Sequence, residues 1–140
     1  MKRTLTAIMI LAFTVVFNAC GQKDKSHGEN NHEASKKSIT LVSPDELQEV
    51  QKDVQLIDVR TPEEFESGHL ENAVNINIKD AEFESKIGAY DRSKPIYVYC
   101  KKGGRSASAA NKLKDMGFIE IYDLEGGITN WQDKGKKVVE

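Results

Sequence analysis

Short apolar runs alternate with amphipathic stretches along residues 38–140, and this alternation predicts strands separated by helices. Five runs have strand length and are rich in β-branched and aromatic residues. These predicted strands are residues 39–42, 54–59, 73–76, 95–99 and 119–122. The run at 54–59 is largely apolar, which is typical of a strand buried on both faces of a parallel sheet.

Helix-start signals lie between these runs. Ser43 and Thr61 are each followed by Pro and, three residues later, by Glu, which is the pattern of a capping box with Pro at the first helical position. The predicted helices are residues 44–52, 62–68, 81–90, 105–116 and 128–133. Strands that alternate with helices indicate an α/β fold, in which a single parallel sheet of about five strands carries helices on both faces.

The N-terminal residues follow a different pattern. Lys2 and Arg3 precede an apolar run at residues 5–17, which is shorter than the roughly 20 residues of a transmembrane helix. A positive start followed by a short apolar run is typical of a secretory signal peptide. The run leads to Ala19 and Cys20 and resembles a bacterial lipoprotein signal, with Cys20 as the lipidated first residue of the mature chain. An ordinary signal peptide, in which Cys20 is incidental, is the alternative.

Residues 21–37 contain one apolar side chain, Ala34, among charged and polar ones. Such a segment cannot bury enough surface to offset its ordering entropy, so it is predicted to be a flexible tether. His27 and His32 have a spacing that matches no compact metal site. The expected organisation is a signal peptide at 1–19, a lipidated Cys20 with its tether at 20–37, and a folded domain at 38–140. The expected location is the cell envelope, facing the periplasm or the exterior.

Composition excludes several classes of function. The chain has 140 residues, with 20 basic and 22 acidic side chains and a net charge of −2, so no bulk positive field favours nucleic acid. Its two cysteines exclude a multi-disulfide scaffold and a four-cysteine zinc site.

Cys100 is the position that carries candidate chemistry. It ends a predicted strand and is followed by two lysines and two glycines, just before a predicted helix. Ligands of open parallel sheets bind at the carboxyl ends of the strands. Gly103 and Gly104 allow a tight turn in which several amides point into one concavity, and the helix start adds donors and partial positive charge.

A thiol in that position is expected to ionise below its ordinary pKa of ~8.5. Lys101, Lys102 and Arg105 are expected to lower this pKa further and to attract an anionic substrate. The resulting thiolate is the predicted nucleophile. The alternative is a buried structural thiol, which leaves the Lys-Lys-Gly-Gly-Arg sequence unexplained.

Residues 100–106, Cys-Lys-Lys-Gly-Gly-Arg-Ser, resemble the active-site loop of single-domain rhodaneses, the thiosulfate sulfurtransferases. Residues 56–65, followed by Gly68 and His69, resemble the family's first signature, and residues 124–127 with Trp131 resemble its last. The resemblance covers nearly all of the predicted domain, in the family's order, and implies a rhodanese-like fold.

One departure from the family pattern lies at Asn72, where the family often has Gly. Because Asn tolerates a left-handed backbone better than most residues, the turn is expected to survive.

The resemblance implies a reaction and a set of roles. Cys100 is the catalytic residue, attacks the sulfane sulfur of thiosulfate or a related donor, releases sulfite and passes its persulfide sulfur to a thiol or cyanide. The loop residues that follow are assigned to substrate binding: Lys101, Lys102, Gly103, Gly104 and Arg105. Neither a metal nor an organic cofactor is needed. The expected partners are a small anionic donor and a thiophilic acceptor, with membrane contact through the lipid anchor only, and the expected state is a monomer.

Loop length separates related enzymes. Four residues lie between Cys100 and Arg105, whereas phosphatases and arsenate reductases of the same fold carry one more, as the resemblance implies. The shorter loop favours a persulfide over a tetrahedral oxyanion. A sulfur-carrier or protein-binding module without turnover is the second hypothesis, and a phosphatase or arsenate reductase is the third.

Other polar residues are assigned to support. Asp58, Arg60 and Ser106 are expected to hold the loops in place rather than to act on substrate. His69 is expected to pack or fix a turn rather than act as a general base. Trp131 is expected in the core, with the pocket rim as the alternative.

Overall fold

A computed structural model describes residues 37–140 of the protein. The predicted signal peptide, the lipidation site at Cys20 and all of the predicted tether except Lys37 lie outside these residues. In the described part, none of the helices has the length and apolar character needed to span a membrane.

Five strands and five helices alternate along the described residues. The strands are β1 (Ser38–Val42), β2 (Gln55–Asp58), β3 (Val74–Asn75), β4 (Ile96–Tyr99) and β5 (Glu120–Leu124). The helices are α1 (Pro44–Val50), α2 (Pro62–Glu66), α3 (Phe83–Ile87), α4 (Gly104–Asp115) and α5 (Gly127–Asp133).

The strands form one sheet in the order β1-β5-β4-β2-β3, and every pairing is parallel. The predicted single parallel sheet of about five strands is therefore confirmed. β4 lies at its centre, and all four of its residues are buried. The carboxyl end of β4, where Cys100 follows, is thus flanked by the ends of β2 and β5.

Two apolar cores, one on each face of the sheet, confirm that helices cover both faces. The first core contains Ile57, Val98 and Ile121 from the strands, with residues of α3 and α4. The second contains Leu56 and Tyr97 from the strands, with residues of α1 and α5. Neighbouring strand residues alternate between the cores because successive side chains of a strand point to opposite faces.

Both predicted capping boxes are present. The Glu46 amide donates to Ser43 Oγ at 3.3 Å, and the Ser43 amide donates back to the Glu46 carboxylate at 2.9 Å. Thr61 and Glu64 make the same pair of bonds at the start of α2. These short-range bonds satisfy amides that a helix start leaves without partners, which is why the sequence signal predicts both starts correctly.

The helix predicted at residues 81–90 is shorter in the structure. Only Phe83–Ile87 is helical, with Phe83 and Ile87 buried against the sheet. The residue before it, Glu82, makes no side-chain capping bond, so nothing extends the helix towards residue 81. Asn72 has a φ of +65°, which confirms the left-handed turn expected there.

Candidate active site

Cys100 follows the last residue of β4 and lies beneath the loop that leads into α4. Its residue is 2% exposed, and it belongs to the apolar core on the α4 face of the sheet. The loop turns at Gly103, whose φ of +103° lies in the region that favours glycine. The thiol is therefore buried, as expected of a structural cysteine, and also enclosed by the loop, as expected of a nucleophile. The two interpretations of Cys100 drawn from the sequence do not exclude each other.

The thiol is surrounded by hydrogen-bond donors. The Gly103 amide donates to Cys100 Sγ at 3.1 Å. Burial acts to raise the pKa of the Cys100 thiol, but bonds from the Ser106 hydroxyl and amide and from the Gly103 and Lys102 amides outweigh it. The pKa therefore lies below its ordinary value, because these donors stabilise the thiolate.

The charges of the two loop lysines lower the pKa of Cys100 less than the sequence predicted. Lys101 and Lys102 are both exposed, and Lys102 acts on the thiol through its backbone amide. Amide donors fixed by the loop lose no entropy in turning towards the sulfur, whereas exposed ammonium groups are screened by water. Of the cationic residues in the loop, Arg105 interacts electrostatically with Cys100.

Arg105 is bound to an acidic partner in α2. Its two terminal nitrogens donate to the two carboxylate oxygens of Glu64 at 2.6 and 2.8 Å. The side chains of this pair are 28% and 30% exposed. The Arg105 hydrogen bond is the main cause that lowers the pKa of Glu64 to about 2. Arg105 was assigned to substrate binding from the sequence, and the structure places its guanidinium in an ion pair.

Asp58 and Arg60 form a buried ion pair at the end of β2. The Arg60 guanidinium donates to both Asp58 oxygens, with a shortest distance of 2.6 Å, and to the Gly68 carbonyl at 2.8 Å. The Asn75 side-chain amide donates to the carbonyls of both residues of the pair. These bonds fix the connection between β2 and α2, and so position Glu64 opposite Arg105.

The first turn of α5 binds back onto the nucleophile's own backbone. The amide of Ile128 donates to the Cys100 carbonyl at 2.9 Å, and that of Thr129 donates to the Lys101 carbonyl at 3.1 Å. A Cβ on Gly127 would lie 2.4 Å from the Cys100 carbonyl oxygen, so only glycine permits this approach. Gly127 belongs to the stretch 124–127 that resembles the family's last signature, but no local pattern in the sequence predicts its contact with Cys100.

A cavity of about 190 Å³ adjoins the loop. Its lining is mostly polar and comes from α2 and the residues that flank it, from the loop and from α5: Arg60, Glu64, Ser67, Gly68, Lys101, Ile128, Thr129 and Gln132. Lys101 lines this cavity and Lys102 does not. A larger cavity of about 590 Å³ lies between α1 and residues 134–139, and no residue of the Cys100 loop lines it.

His69 and Trp131 have packing roles, as expected from the sequence. The His69 ring stacks on Phe65 with centroids 3.7 Å apart, and its Nδ1 donates to the Phe65 carbonyl at 3.0 Å. Trp131 is 1% exposed and donates from Nε1 to the Lys137 carbonyl at 2.9 Å. Within residues 37–140, no three His, Cys, Asp or Glu side chains are grouped so that they could hold a metal ion.

Comparison with known proteins agrees with this geometry. The family model described as "Rhodanese-like domain" matches residues 43–134. Thiosulfate sulfurtransferase GlpE of Shewanella oneidensis is 37% identical over 83 residues, which cover 59% of this chain and 79% of that protein.

Two solved structures extend the comparison. The rhodanese-related protein of Thermoplasma volcanium has a TM-score of 0.64 and 36% identity, covering 71% of this chain and 97% of that chain. The polysulfide-sulfur transferase homodimer of Wolinella succinogenes has a TM-score of 0.61 and 30% identity, covering 76% of this chain and 82% of that chain.

Proposed function

The chain belongs to the family of rhodanese-like domains, and on that premise we propose that it transfers a sulfane sulfur from thiosulfate or a related donor to a thiophilic acceptor. The observation that carries the proposal is the set of hydrogen bonds that lowers the pKa of the Cys100 thiol although the residue is buried. A buried thiol kept only for packing has no need of converging amide donors.

The first half-reaction is an attack by the Cys100 thiolate on the sulfane sulfur of the donor. A sulfur–sulfur bond forms to Cys100 while the donor's own sulfur–sulfur bond breaks, and the bonding electrons leave with sulfite. The persulfide that remains carries its charge on the outer sulfur. The loop amides that now face the thiol, including that of Gly103, would stabilise this charge.

The second half-reaction returns the enzyme to its starting state. An acceptor such as a thiolate or cyanide attacks the outer sulfur, and the electron pair of the broken bond returns to the Cys100 sulfur. No proton has to be moved by the protein if both thiols react as thiolates. This agrees with the packing role of His69, whose Nδ1 is bound to a backbone carbonyl.

The cavity beside the loop is the proposed donor site. Its volume of about 190 Å³ suits a small anion, and Lys101 is the exposed cationic residue in its lining. Arg60 also lines the cavity, but its guanidinium is bound to Asp58 and to the Gly68 carbonyl. We therefore assign donor attraction to Lys101 and persulfide stabilisation to the loop backbone.

The test is the intact mass of the purified full chain after incubation with thiosulfate. A gain of one sulfur atom, reversed by cyanide and absent in Cys100→Ser, is the expected result. No gain with thiosulfate, polysulfide or a persulfide donor would overturn the proposal and leave a binding module. A stable gain that no acceptor removes would indicate a sulfur carrier without turnover.

We further propose that the protein is a monomer held at a bacterial membrane by a lipid on Cys20, with its domain facing the periplasm or exterior. Support comes from the apolar run at residues 5–17 and the Ala19-Cys20 pair, both outside the described residues. An acylated Cys20 would leave Cys100 as the sole free thiol, because the chain has two cysteines.

A further inference from the structure

The cavity of about 590 Å³ lies on the face of the sheet that α1 and α5 cover. Its walls are Gln48 and Gln51 at the end of α1, Glu71, Trp131 of α5 and residues 134–139. Pockets that bind organic molecules have volumes of roughly 300–1,000 Å³, so this cavity has room for one. The proposed sulfur transfer does not use it, because no residue of the Cys100 loop is in its lining.

The wall formed by residues 134–139 is held in place by hydrogen bonds. The Trp131 indole nitrogen donates to the Lys137 carbonyl at 2.9 Å. The His69 amide donates to the Val139 carbonyl at 2.8 Å, and the Val139 amide donates back to the His69 carbonyl at 2.9 Å. The cavity is therefore preformed, and a ligand would not have to order this wall on binding.

Gln51 brings an unpaired amide oxygen to the cavity. The residue follows α1, is 7% exposed and lines the cavity. Its Oε1 has no hydrogen-bond partner within residues 37–140. A buried amide oxygen without a partner destabilises a fold, and a leucine would fill a similar space without that cost. Since this oxygen can only accept, a ligand would have to supply an N–H or O–H donor.

The charge of the cavity lining is mainly positive. Lys134 and Lys137 are exposed residues of the lining, and neither forms an ion pair with another described residue. The third lysine, Lys136, has a side chain that is 9% exposed and binds the Asp45 carboxylate at 2.7 Å. The acidic residue of the lining is Glu71. Two unpaired cations beside one carboxylate favour the binding of an anion.

We propose that this cavity is a second binding site, which takes a hydroxylated organic anion. The carboxylate or phosphate of the ligand lies near Lys134 and Lys137, and a ligand hydroxyl donates to Gln51 Oε1. A neutral polyol would leave the two lysines unpaired, and a fully ionised inorganic anion would bring no donor for Gln51. The site therefore selects molecules that carry both groups. This inference is independent of the proposed sulfur transfer.

The test is a fluorescence titration of the purified full chain. Trp131 is the single tryptophan of the chain and lines the cavity, so its emission reports occupancy. Glucose 6-phosphate and citrate, which combine hydroxyl groups with negative charge, should each bind with a Kd below about 1 mM. Glucose and sulfate, at matched ionic strength, should bind at least about tenfold more weakly. No saturable change with either probe up to about 10 mM, or equal affinity for either control, overturns the proposal.

Matched pairs of lysine variants locate the site. Lys134→Gln with Lys137→Gln should raise the Kd of both probes at least about tenfold, because the unpaired cations of the lining are removed. Lys112→Gln with Lys114→Gln removes the same charge from α4, whose lysines do not line the cavity, and should change Kd less than about twofold. Equal weakening by the two pairs would show attraction to overall charge and overturns the proposal.

Two single variants complete the test. Gln51→Leu should raise Kd about five- to tenfold without lowering the free energy of unfolding, because it removes an oxygen that has no partner in the fold. Unchanged binding in Gln51→Leu would overturn the assigned hydroxyl contact. Lys101→Ala should keep the wild-type affinity, since Lys101 lines the other cavity. Loss of binding in Lys101→Ala would place the probes at the Cys100 loop and overturn the second site, whether or not thiosulfate loads the protein.

Discussion

Arg105 and Glu64 join the active-site loop to α2 through two parallel hydrogen bonds of 2.6 and 2.8 Å. Arg105 lies in the first turn of α4, next to Ser106, and Glu64 lies in the first turn of α2. The Glu64 carboxylate also closes the capping box of α2 through the Thr61 amide. One carboxylate therefore holds both the start of α2 and the helix that follows Cys100.

The first prediction concerns Glu64→Gln. The pKa of Glu64 is lowered to about 2, chiefly by its bond to Arg105. Since the folded-state pKa lies below the unfolded value near 4.5, the pair stabilises the protein fully above that value and is lost as pH falls towards about 2. The variant should lose about 1–2 kcal/mol at pH 7, after allowance for partial exposure, as measured by urea unfolding.

The same variant should flatten the pH dependence of unfolding between about pH 5 and pH 2. Glu66→Gln is the matched control, because Glu66 is an exposed residue of the same helix. A Glu64→Gln protein with wild-type stability at pH 7 would show that the ion pair contributes nothing.

The second prediction compares two adjacent lysines. Lys101 and Lys102 are both exposed, but Lys101 alone of the two lines the cavity of about 190 Å³. Lys101→Ala should raise the KM for thiosulfate about three- to tenfold at low ionic strength, because a cation at the mouth of a cavity concentrates an anion there. Lys102→Ala should change KM less than about twofold, since a charge away from the cavity is screened. Equal effects of the two changes would contradict the assignment of the cavity.

The third prediction concerns the reactivity of Cys100. Its lowered pKa means that the rate of alkylation by iodoacetamide should stay high at pH values below the ordinary pKa of a thiol and fall only as pH drops through the lowered pKa. Because the residue is 2% exposed, folding should slow a bulky maleimide at least about tenfold more than it slows the small reagent, each rate being taken relative to that of the unfolded chain. The urea-unfolded protein is the control, and it should titrate as an ordinary thiol. A native profile like that of the unfolded chain would contradict the proposed activation.

The sequence predicted the features that depend on hydrogen bonds between residues close together in the chain. Both capping boxes join residues three apart, and both are found as predicted. The lowered pKa of Cys100 also follows from neighbours in sequence, because the donors come from residues 102 to 106. The β4-loop-α4 unit could therefore be predicted without a tertiary structure.

Contacts between distant residues could not be predicted in the same way. Glu64 and Arg105 are 41 residues apart, and nothing near either residue indicates that α2 and α4 meet. Arg105 was therefore assigned to substrate binding and Glu64 to the capping box of α2. The sequence predicts the chemistry of the loop, whereas packing determines which of its cationic side chains remain available to bind a substrate.

The fourth prediction concerns the membrane anchor. Cys20→Ser should move the protein from the detergent-extracted membrane fraction to the soluble one, because a side chain without thiol chemistry cannot carry the lipid. Cys100→Ser is the matched control, and it should stay in the membrane fraction. A Cys20→Ser protein that remained with the membrane would contradict the lipoprotein assignment and favour an ordinary signal peptide or another mode of attachment.

The last prediction uses two glycines that share a backbone conformation. Gly127 and Gly135 have φ values of +61° and +72°, so an added Cβ is strained at both. At Gly127 the Cβ would also lie 2.4 Å from the Cys100 carbonyl oxygen, whereas at Gly135 it meets nothing within 4 Å. Gly135→Ala should therefore cost about 1 kcal/mol and Gly127→Ala at least about 3 kcal/mol in urea unfolding, since only the second adds a backbone clash.

The difference between these two variants should also appear in sulfur loading. The close approach at Gly127 allows the Ile128 amide to bind the Cys100 carbonyl at 2.9 Å, and that bond anchors the nucleophile's backbone beneath the loop. Gly127→Ala should thus form the Cys100 persulfide more slowly even where it remains folded, as measured by mass after a short exposure to thiosulfate. Gly135→Ala should load at the wild-type rate, because residue 135 lies away from the loop. Equal stability and equal loading in the two variants would show that the contact between α5 and Cys100 does not position the nucleophile.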